Sequence, residues 1–337
     1  MFDVHRSFEA KNEYLPALPA LGYGVRFFLD RFAELVPALP VHSAGHPPGL
    51  LLVIKALGIT TAPRLAALCI AAAASLAPLT YLAARRRLPE QRARAAALLV
   101  AFSPVAAVIG VSSADAIYAA LGLIAAIGLL ARGVNHLGSD MATLRGSRRW
   151  RAPVAGAAAL AMASFFSWAL VAVGGLAVLV ELRARGLRRA AALAALCATS
   201  VAAFYAALYA ATGFDPIGTI GATHHVYDAG IASIRPYPFW LPGSPVAFGV
   251  AIGLPTALYA LRALARADPI ALALAAIVVA AALLGLTEAE TERIWLFLLP
   301  FAALAAATAL PLHRIRLIVA ALAAQALATE LLFVTAW

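Results

Sequence analysis

The sequence predicts an all-α, polytopic transmembrane helix bundle. The chain is 64% apolar and only 12% charged, and its mean hydropathy is +0.89. Soluble domains are about half apolar and about a quarter charged, so 337 residues of this composition do not suit one water-soluble core. In a bilayer each segment has to satisfy its own backbone hydrogen bonds, which helices do. The Ala/Leu-rich runs lack the period-two alternation of barrel strands, which leaves helices.

The apolar runs predict about ten hydrophobic helices, two of them short, from lengths of about 17–25 residues. Eight runs read as single helices, at 65–84, 95–111, 116–131, 190–212, 247–261, 270–286, 294–310 and 317–333. The run 152–182 has arginines at both ends, so we expect a hairpin of two short helices that meet near 165–168. A short interface helix is predicted at 49–59, and an outer loop at 213–242.

The charges predict the orientation of these helices. Of the 26 Lys and Arg residues, 18 fall on one face when the spans alternate, and the positive-inside rule makes that face cytoplasmic. They are Arg85, Arg86, Arg87, Arg92, Arg94, Arg132, Arg145, Arg148, Arg149, Arg151, Arg183, Arg185, Arg188, Arg189, Arg262, Arg266, Arg314 and Arg316. Of the 16 acids, 11 fall on the other face. The net charge of +10 is therefore a topology signal, and no nucleic-acid partner is expected.

The N-terminal 48 residues form the first predicted unit, an outer-face loop that precedes a transmembrane domain at 49–337. No signal peptide is evident there. Because no span precedes this outer segment, we expect that a first helix is missing; translocation of the N-terminus without a leader is the alternative. Cys69 and Cys197 lie inside apolar runs and give no disulfide or metal pattern.

Two groups near the N-terminus are candidates for chemistry. Asp3, Glu9 and Glu13 lie in the first outer segment, where a carboxylate at the membrane surface can act as a general base for an incoming hydroxyl. The alternative is a solvated loop. His46 precedes Pro47, Pro48 and Gly49, and it can hydrogen-bond a phosphate or a sugar, or simply cap a structural turn.

Further candidates lie at outer helix boundaries. Asp115 opens the helix at 116–131, either as a cap or as a carboxylate that faces an outer cavity. Arg293 can clamp a phosphate through its planar guanidinium, with Glu292 to orient it or to bind substrate; a solvated loop is the alternative. In the outer loop, substrate-binding candidates are His224, His225 and Tyr227. A metal site at these histidines with Asp228 is unspecific, and none is predicted.

The order of these features resembles the GT-C superfamily of membrane glycosyltransferases. An acidic outer segment leads to HPPG at 46–49, and a later span ends in ARRR at 84–87. SSAD at 112–115, the short hairpin at 155–182 and E-x-E-R-I-W-L-F at 290–297 follow. The chain is most similar to actinobacterial mannosyl- and arabinosyltransferase-like integral membrane proteins. The resemblance covers residues 1–310 and rests on order and spacing.

The resemblance implies an inverting transferase in the cell membrane that takes a sugar from a polyprenyl-phosphate donor. An acid in the first outer loop, with Glu9 preferred over Asp3 and Glu13, would be the base. His46 and Asp115 would line the pocket, and Arg293 would hold the donor phosphate. Three departures are the absent first helix, Ser164 or Ser167 in place of a hairpin lysine, and the lack of a soluble outer domain.

Two other functions compete with sugar transfer. A transporter or lipid flippase should carry ionisable residues at mid-bilayer along a path, whereas the acids here collect at one face. A non-catalytic membrane subunit would tolerate alanine at Glu9, Asp115 and Arg293. No cofactor is predicted, and a divalent cation is left open. The acceptor could be a cell-envelope glycan, a lipid or a protein, and the sequence names neither it nor the sugar.

Overall fold

The chain is helical throughout the part that can be described. The computed structural model describes residues 14–131, 145–285 and 287–332, and no strand occurs among them. Four of its helices are long and apolar enough to cross a membrane, at Ala62–Ala84, Leu187–Thr212, Thr291–Ala309 and Leu312–Leu332. The prediction of a helical membrane protein therefore stands at this coarser level.

The helix bounds are as follows. Those in the first half are α1 (Val25–Asp30), α2 (Phe32–Leu35), α3 (Val41–Ala44), α4 (Gly49–Ala56), α5 (Ala62–Ala84), α6 (Glu90–Ala101), α7 (Pro104–Val108), α8 (Asp115–Leu129) and α9 (Arg145–Ser164). Those in the second half are α10 (Val171–Arg185), α11 (Leu187–Thr212), α12 (Pro216–Ala229), α13 (Tyr237–Ala251), α14 (Leu254–Ala265), α15 (Pro269–Leu283), α16 (Thr291–Ile294), α17 (Leu299–Ala309) and α18 (Ile315–Leu332). Short 3₁₀ segments link several of them.

The predicted number of ten hydrophobic helices is not what the described residues show. Four helices meet the requirements for a span, or five if the bent pair α13 and α14 is counted as one. Helices α8 and α15 are apolar but have only 15 residues each. A helix of that length is about 22 Å long, which is shorter than the roughly 30 Å hydrocarbon core.

Two predicted loops are largely helical. The segment 213–242 contains α12 and the start of α13, because Asp215 caps α12 by accepting hydrogen bonds from the backbone N–H groups of Ile217 and Gly218. Pro216 then occupies the first turn, where its missing N–H is harmless. In the N-terminal segment, residues 15–44 form short α and 3₁₀ helices instead of an open loop.

Two predicted spans are broken. The run 95–111 is split between α6 and α7 at Phe102 and Ser103, because Pro104 begins the second helix. The run 247–261 is split at Ile252 and Gly253, where α13 and α14 meet at 115°. Gly253 has φ +98°, and a Cβ there would overlap Leu322, so the bend requires glycine.

Side chains from other helices satisfy the backbone groups that the second break exposes. The Gln325 side chain in α18 donates to the Val250 carbonyl at 2.8 Å and accepts from the Leu254 N–H at 2.8 Å. The Ser103 hydroxyl donates to the Ile252 carbonyl at 3.1 Å. A broken helix is tolerated in an apolar surrounding when neighbouring groups replace its lost hydrogen bonds in this way.

The predicted hairpin is found between α9 and α10. The two helices are separated at residues 165–167, and the start of α9 and the end of α10 line the same cleft through Trp150 and Arg185. At the tip, the Gly49 N–H donates to the Phe165 carbonyl at 2.9 Å. A Cβ at Gly49 would overlap that carbonyl, so this close backbone approach requires glycine.

Helix α9 also packs tightly against α8. Gly128 and Gly156 face each other, and a Cβ on either glycine would lie 2.6 Å from backbone atoms of the other helix. Small residues at such a crossing let two helices approach closely where lipid provides no hydrophobic drive for association.

We predict that Gln325→Leu destabilises the folded protein by about 1–2 kcal/mol, because two hydrogen bonds at the α13–α14 break are lost. The measurement is thermal or denaturant unfolding of the purified chain in detergent. Thr329→Val is the matched control, since its hydroxyl donates only to the Gln325 carbonyl of its own helix. Equal losses in the two variants would contradict the assigned role of Gln325.

Candidate functional site

A buried ion pair joins the start of α8 to α16. An Arg293 Nη1 atom lies 3.1 Å from Asp115 Oδ2, and the two side chains are 9% and 6% exposed. The Ser113 hydroxyl donates to the same carboxylate oxygen at 3.0 Å. The Asp115 side chain does not cap α8 but pairs with Arg293, whereas the Ser113 hydroxyl oxygen accepts from the Asp115 N–H at 3.3 Å.

A second carboxylate extends the pair into a cluster. Glu290 accepts from Arg293 Nη2 at 2.9 Å through one oxygen and from Arg235 Nη2 at 2.7 Å through the other. Arg235 also donates to the Glu288 carbonyl at 2.6 Å, and the Glu288 N–H donates to the Tyr227 hydroxyl at 2.8 Å. We call Asp115, Glu290, Arg235 and Arg293 the acid-end cluster.

Aromatic side chains lie beside the acid-end cluster. The Tyr14 and Tyr118 hydroxyls are 2.5 Å apart and buried. The His46 and Tyr118 rings lie with their centroids 4.8 Å apart, and Tyr14 and His42 are also neighbours at 6.4 Å. Burial, with smaller effects of Arg293 and His42, lowers the pKa of His46 to about 3. The imidazole is therefore neutral at physiological pH and has one donor and one acceptor nitrogen.

The charges of the acid-end cluster balance one another. Burial raises the pKa of Glu290, but the hydrogen bonds and charges of Arg235 and Arg293 outweigh burial, and the net pKa is lowered. Among the described residues, two guanidiniums thus face two carboxylates. A phosphate that reaches this place has to compete with Glu290 or Asp115 for guanidinium hydrogen bonds.

Arginines gather at the far end of α8. There the Arg87 Nε donates to the Leu130 carbonyl at 2.8 Å, and Arg87 also binds Glu181 at 2.9 Å. Asp115 and Leu130 lie at opposite ends of α8, so the two charge clusters are about 22 Å apart. Both clusters contain arginines and carboxylates, and the assignment of the two ends of α8 to opposite faces of a membrane stays a prediction.

Asp115, Arg293 and His46 are the predicted site residues that the structure brings together. Tyr227 joins them through Glu288. Within the described residues, Glu292 makes no ion pair with Arg293, which it was expected to orient; Asp115 and Glu290 do so instead. His224 is exposed and lies 3.2 Å from Asp228, and His225 is exposed as well. Asp3, Glu9 and Glu13 lie outside the described residues.

Four residues of the site were not predicted: Glu290, Arg235, Tyr14 and Tyr118. Tyr118 follows Asp115 by three residues, so helical spacing could have placed both on one face of α8. Glu290 reaches both arginines from a left-handed backbone conformation with φ +57°, which nothing in the sequence signals. Arg235 and Tyr14 depend on long-range packing.

No protein-family model, curated protein or solved structure matched the chain. The likeness to GT-C transferases therefore stays a prediction from the order of the sequence features. Among the residues that the structure describes, no group of three or more His, Cys, Asp or Glu side chains is placed to hold a metal ion.

We predict that Arg293→Gln lowers the free energy of unfolding by about 3–5 kcal/mol, because the buried Asp115 and the half-buried Glu290 lose their shared cation. In the double variant with Asp115→Asn, the loss should be smaller than the sum of the two single losses. Unfolding in detergent measures all three variants. Asp228→Asn, an exposed carboxylate, is the control and should change stability by less than about 0.5 kcal/mol. Additive losses would contradict the coupling of Arg293 and Asp115.

We predict that stability falls as the pH drops from 6.5 toward 5. An ordinary histidine with a pKa of 6.5 takes up a proton in the unfolded chain in this range, whereas folded His46 stays neutral down to about pH 3. The ordinary pKa of the Glu290 carboxyl group is 4.5, and folding lowers it. The stability that this carboxylate contributes is therefore lost only below the pH range of the histidine effect.

Thermal unfolding between pH 7.5 and 5 measures this effect. His46→Gln should flatten the dependence on pH, and His225→Gln, at an exposed position, should leave it unchanged. If the wild type and His46→Gln lose stability in parallel, folded His46 titrates normally.

Proposed function

We propose that the protein transfers a sugar from a polyprenyl-phosphate donor to a cell-envelope glycan, lipid or protein at the non-cytoplasmic face of the cell membrane. The observation that carries the proposal is the acid-end cluster, in which two arginines and two carboxylates meet beside a neutral histidine. The cluster lies at the opposite end of α8 from the arginine-rich end, so we propose that the reaction takes place at one face of the membrane.

The reaction needs few groups. The acceptor hydroxyl attacks the anomeric carbon, the bond from that carbon to the phosphate oxygen breaks, and polyprenyl phosphate leaves with the bonding electrons. The proton of the acceptor passes to a carboxylate base. Because phosphate is already a good leaving group, stabilisation of its charge is the main electrostatic requirement.

The residues divide these roles as follows in the proposal. Glu9, or else Asp3 or Glu13, takes the proton. Arg293 supplies positive charge to the leaving phosphate, and Arg235 is the more exposed guanidinium, at 19% against 9% for Arg293. Asp115 and Glu290 position the two arginines.

Neighbouring groups would serve the substrates. The neutral His46 can hydrogen-bond a sugar hydroxyl or a phosphate oxygen. Tyr227 positions the backbone at Glu288, and Glu292, His224 and His225 are proposed to contact the donor or the acceptor. A divalent cation held by a bound phosphate would add positive charge beside Arg293.

A transporter is the second candidate, because the 115° break between α13 and α14 resembles the broken helices of transporter sites. The side chains that bind the backbone at this break are Ser103 and Gln325, which are uncharged. The ionisable groups of the acid-end cluster lie at the end of α8 instead. This placement favours chemistry at a surface over transport through the middle of the bundle.

The test is transfer of labelled sugar from polyprenyl-phosphate mannose, arabinose or galactose by membranes that contain the full-length protein. We expect Glu9→Gln to lower the rate about 10²–10⁴-fold if it is the base, with Asp3→Asn and Glu13→Gln assayed beside it. Arg293→Ala should lower the rate about 10²–10³-fold.

Because Arg293 variants also lose stability, all rates are compared per amount of folded protein, and two further variants are assayed. Glu34→Gln, which changes an exposed carboxylate paired with Arg31, should retain the wild-type rate within twofold. Arg293→Lys should keep more activity than Arg293→Ala because it keeps the charge. If no donor is consumed by the wild type, or if all three first-loop acids can be neutralised together without loss, the protein is not this transferase.

A further inference from the structure

The arginine-rich end of the bundle contains an open cleft that sugar transfer does not use. The cleft lies where α8 ends, α9 begins, α10 ends and α11 begins, and it is small and open to the surface, with a cavity volume of about 30 Å³. Its apolar walls come from Leu129, Pro153 and Leu193, and its polar groups are Glu181, Arg185 and Arg189.

Positive charge in the cleft is not fully compensated. The two oxygens of Glu181 accept from Arg87 at 2.9 Å and from Arg185 at 2.8 Å, so this carboxylate is already engaged. Arg189 is half-buried, and within the part of the chain that the structure describes its guanidinium has neither a carboxylate nor a hydrogen-bond partner. A half-buried guanidinium in such a place favours an anionic ligand.

The apolar walls and one aromatic residue indicate what kind of anion fits. A small free anion would need only positively charged groups to bind. This cleft also has apolar side chains beside the guanidiniums, which suit a ligand with an apolar part. Trp150 at its edge is 38% exposed, and tryptophan is enriched where a membrane meets water. Basic clefts between helix ends, with apolar walls leading away from them, bind lipid head groups in membrane proteins.

We propose that this cleft binds the phosphate of an anionic membrane phospholipid. Arg189 and the free N–H groups of Arg185 hold the phosphate oxygens, and Leu193 and Pro153 contact the glycerol and the first acyl carbons. Glu181 fixes Arg185 beside the site. The bound lipid joins the ends of α9, α10 and α11, and its presence does not depend on the reaction at the acid end.

The test is native mass spectrometry of the full chain in detergent with added dioleoyl-phosphatidylglycerol, dioleoyl-phosphatidylcholine or soluble glycerol 3-phosphate. We expect the anionic lipid to bind at least about fivefold more tightly than the zwitterionic lipid. Arg189→Gln should weaken binding of the anionic lipid about fivefold, and Arg189→Lys should retain most of it.

Arg188→Gln is the matched control, because it removes the same charge from the adjacent, exposed residue that does not line the cleft. It should change lipid binding by less than twofold. Equal losses in Arg188→Gln and Arg189→Gln would show diffuse attraction and overturn the proposal. Displacement of the lipid by an equal concentration of glycerol 3-phosphate would also overturn it, since the cleft would then select a free anion.

Discussion

The ion pair between Arg293 and Asp115 is the contact on which the acid end of the molecule depends. It connects residues 178 positions apart and fixes the start of α8 against the segment that leads into α17. Removing a guanidinium and a carboxylate from water costs several kcal/mol per ion, and the cost is offset only where the geometry is good and further hydrogen bonds are made. Ser113 and Glu290 provide those bonds. Burial is the main reason that His46 is neutral, and the charge of Arg293 adds to it.

How far the sequence predicts this site depends on the range of the contacts involved. Asp115, Arg293 and His46 could be singled out because each stands at the edge of an apolar run, where a polar residue is conspicuous. Glu290 could not be chosen from among three acids in one short segment, since its role follows from a left-handed backbone. The hairpin tip was predictable because arginines lie at both ends of its apolar run.

The errors about helices have a common physical cause. Hydropathy detects apolar runs but not the points where they bend, so the breaks at Ser103 and Gly253 lie inside single predicted spans. Both breaks lie beside residues that favour a helix end. Pro104 follows the first break, and Gly253 and Pro255 lie at the second. What the sequence cannot show is that Gln325, 71 residues from Leu254, replaces the hydrogen bonds lost there. The segment 213–242 was predicted to be a loop because it is polar. Asp215 followed by Pro216 is nevertheless typical of a helix N-terminus.

Arginines lie at both ends of α8, but those at the acid end are paired with carboxylates more completely than those at the other end. This difference suits the two proposed ligands. At the acid end, Arg235 and Arg293 are already paired with carboxylates. The binding free energy of a phosphate there is therefore only the difference between its own contacts with the arginines and the contacts of Glu290 and Asp115 that it replaces. Weak net binding of a leaving group favours turnover, because a transferase has to release polyprenyl phosphate after each transfer. At the other end Glu181 is engaged by Arg87 and Arg185, and Arg189 has no competing carboxylate among the described residues. A phosphate there competes with no described carboxylate for Arg189, which favours a lipid that stays bound.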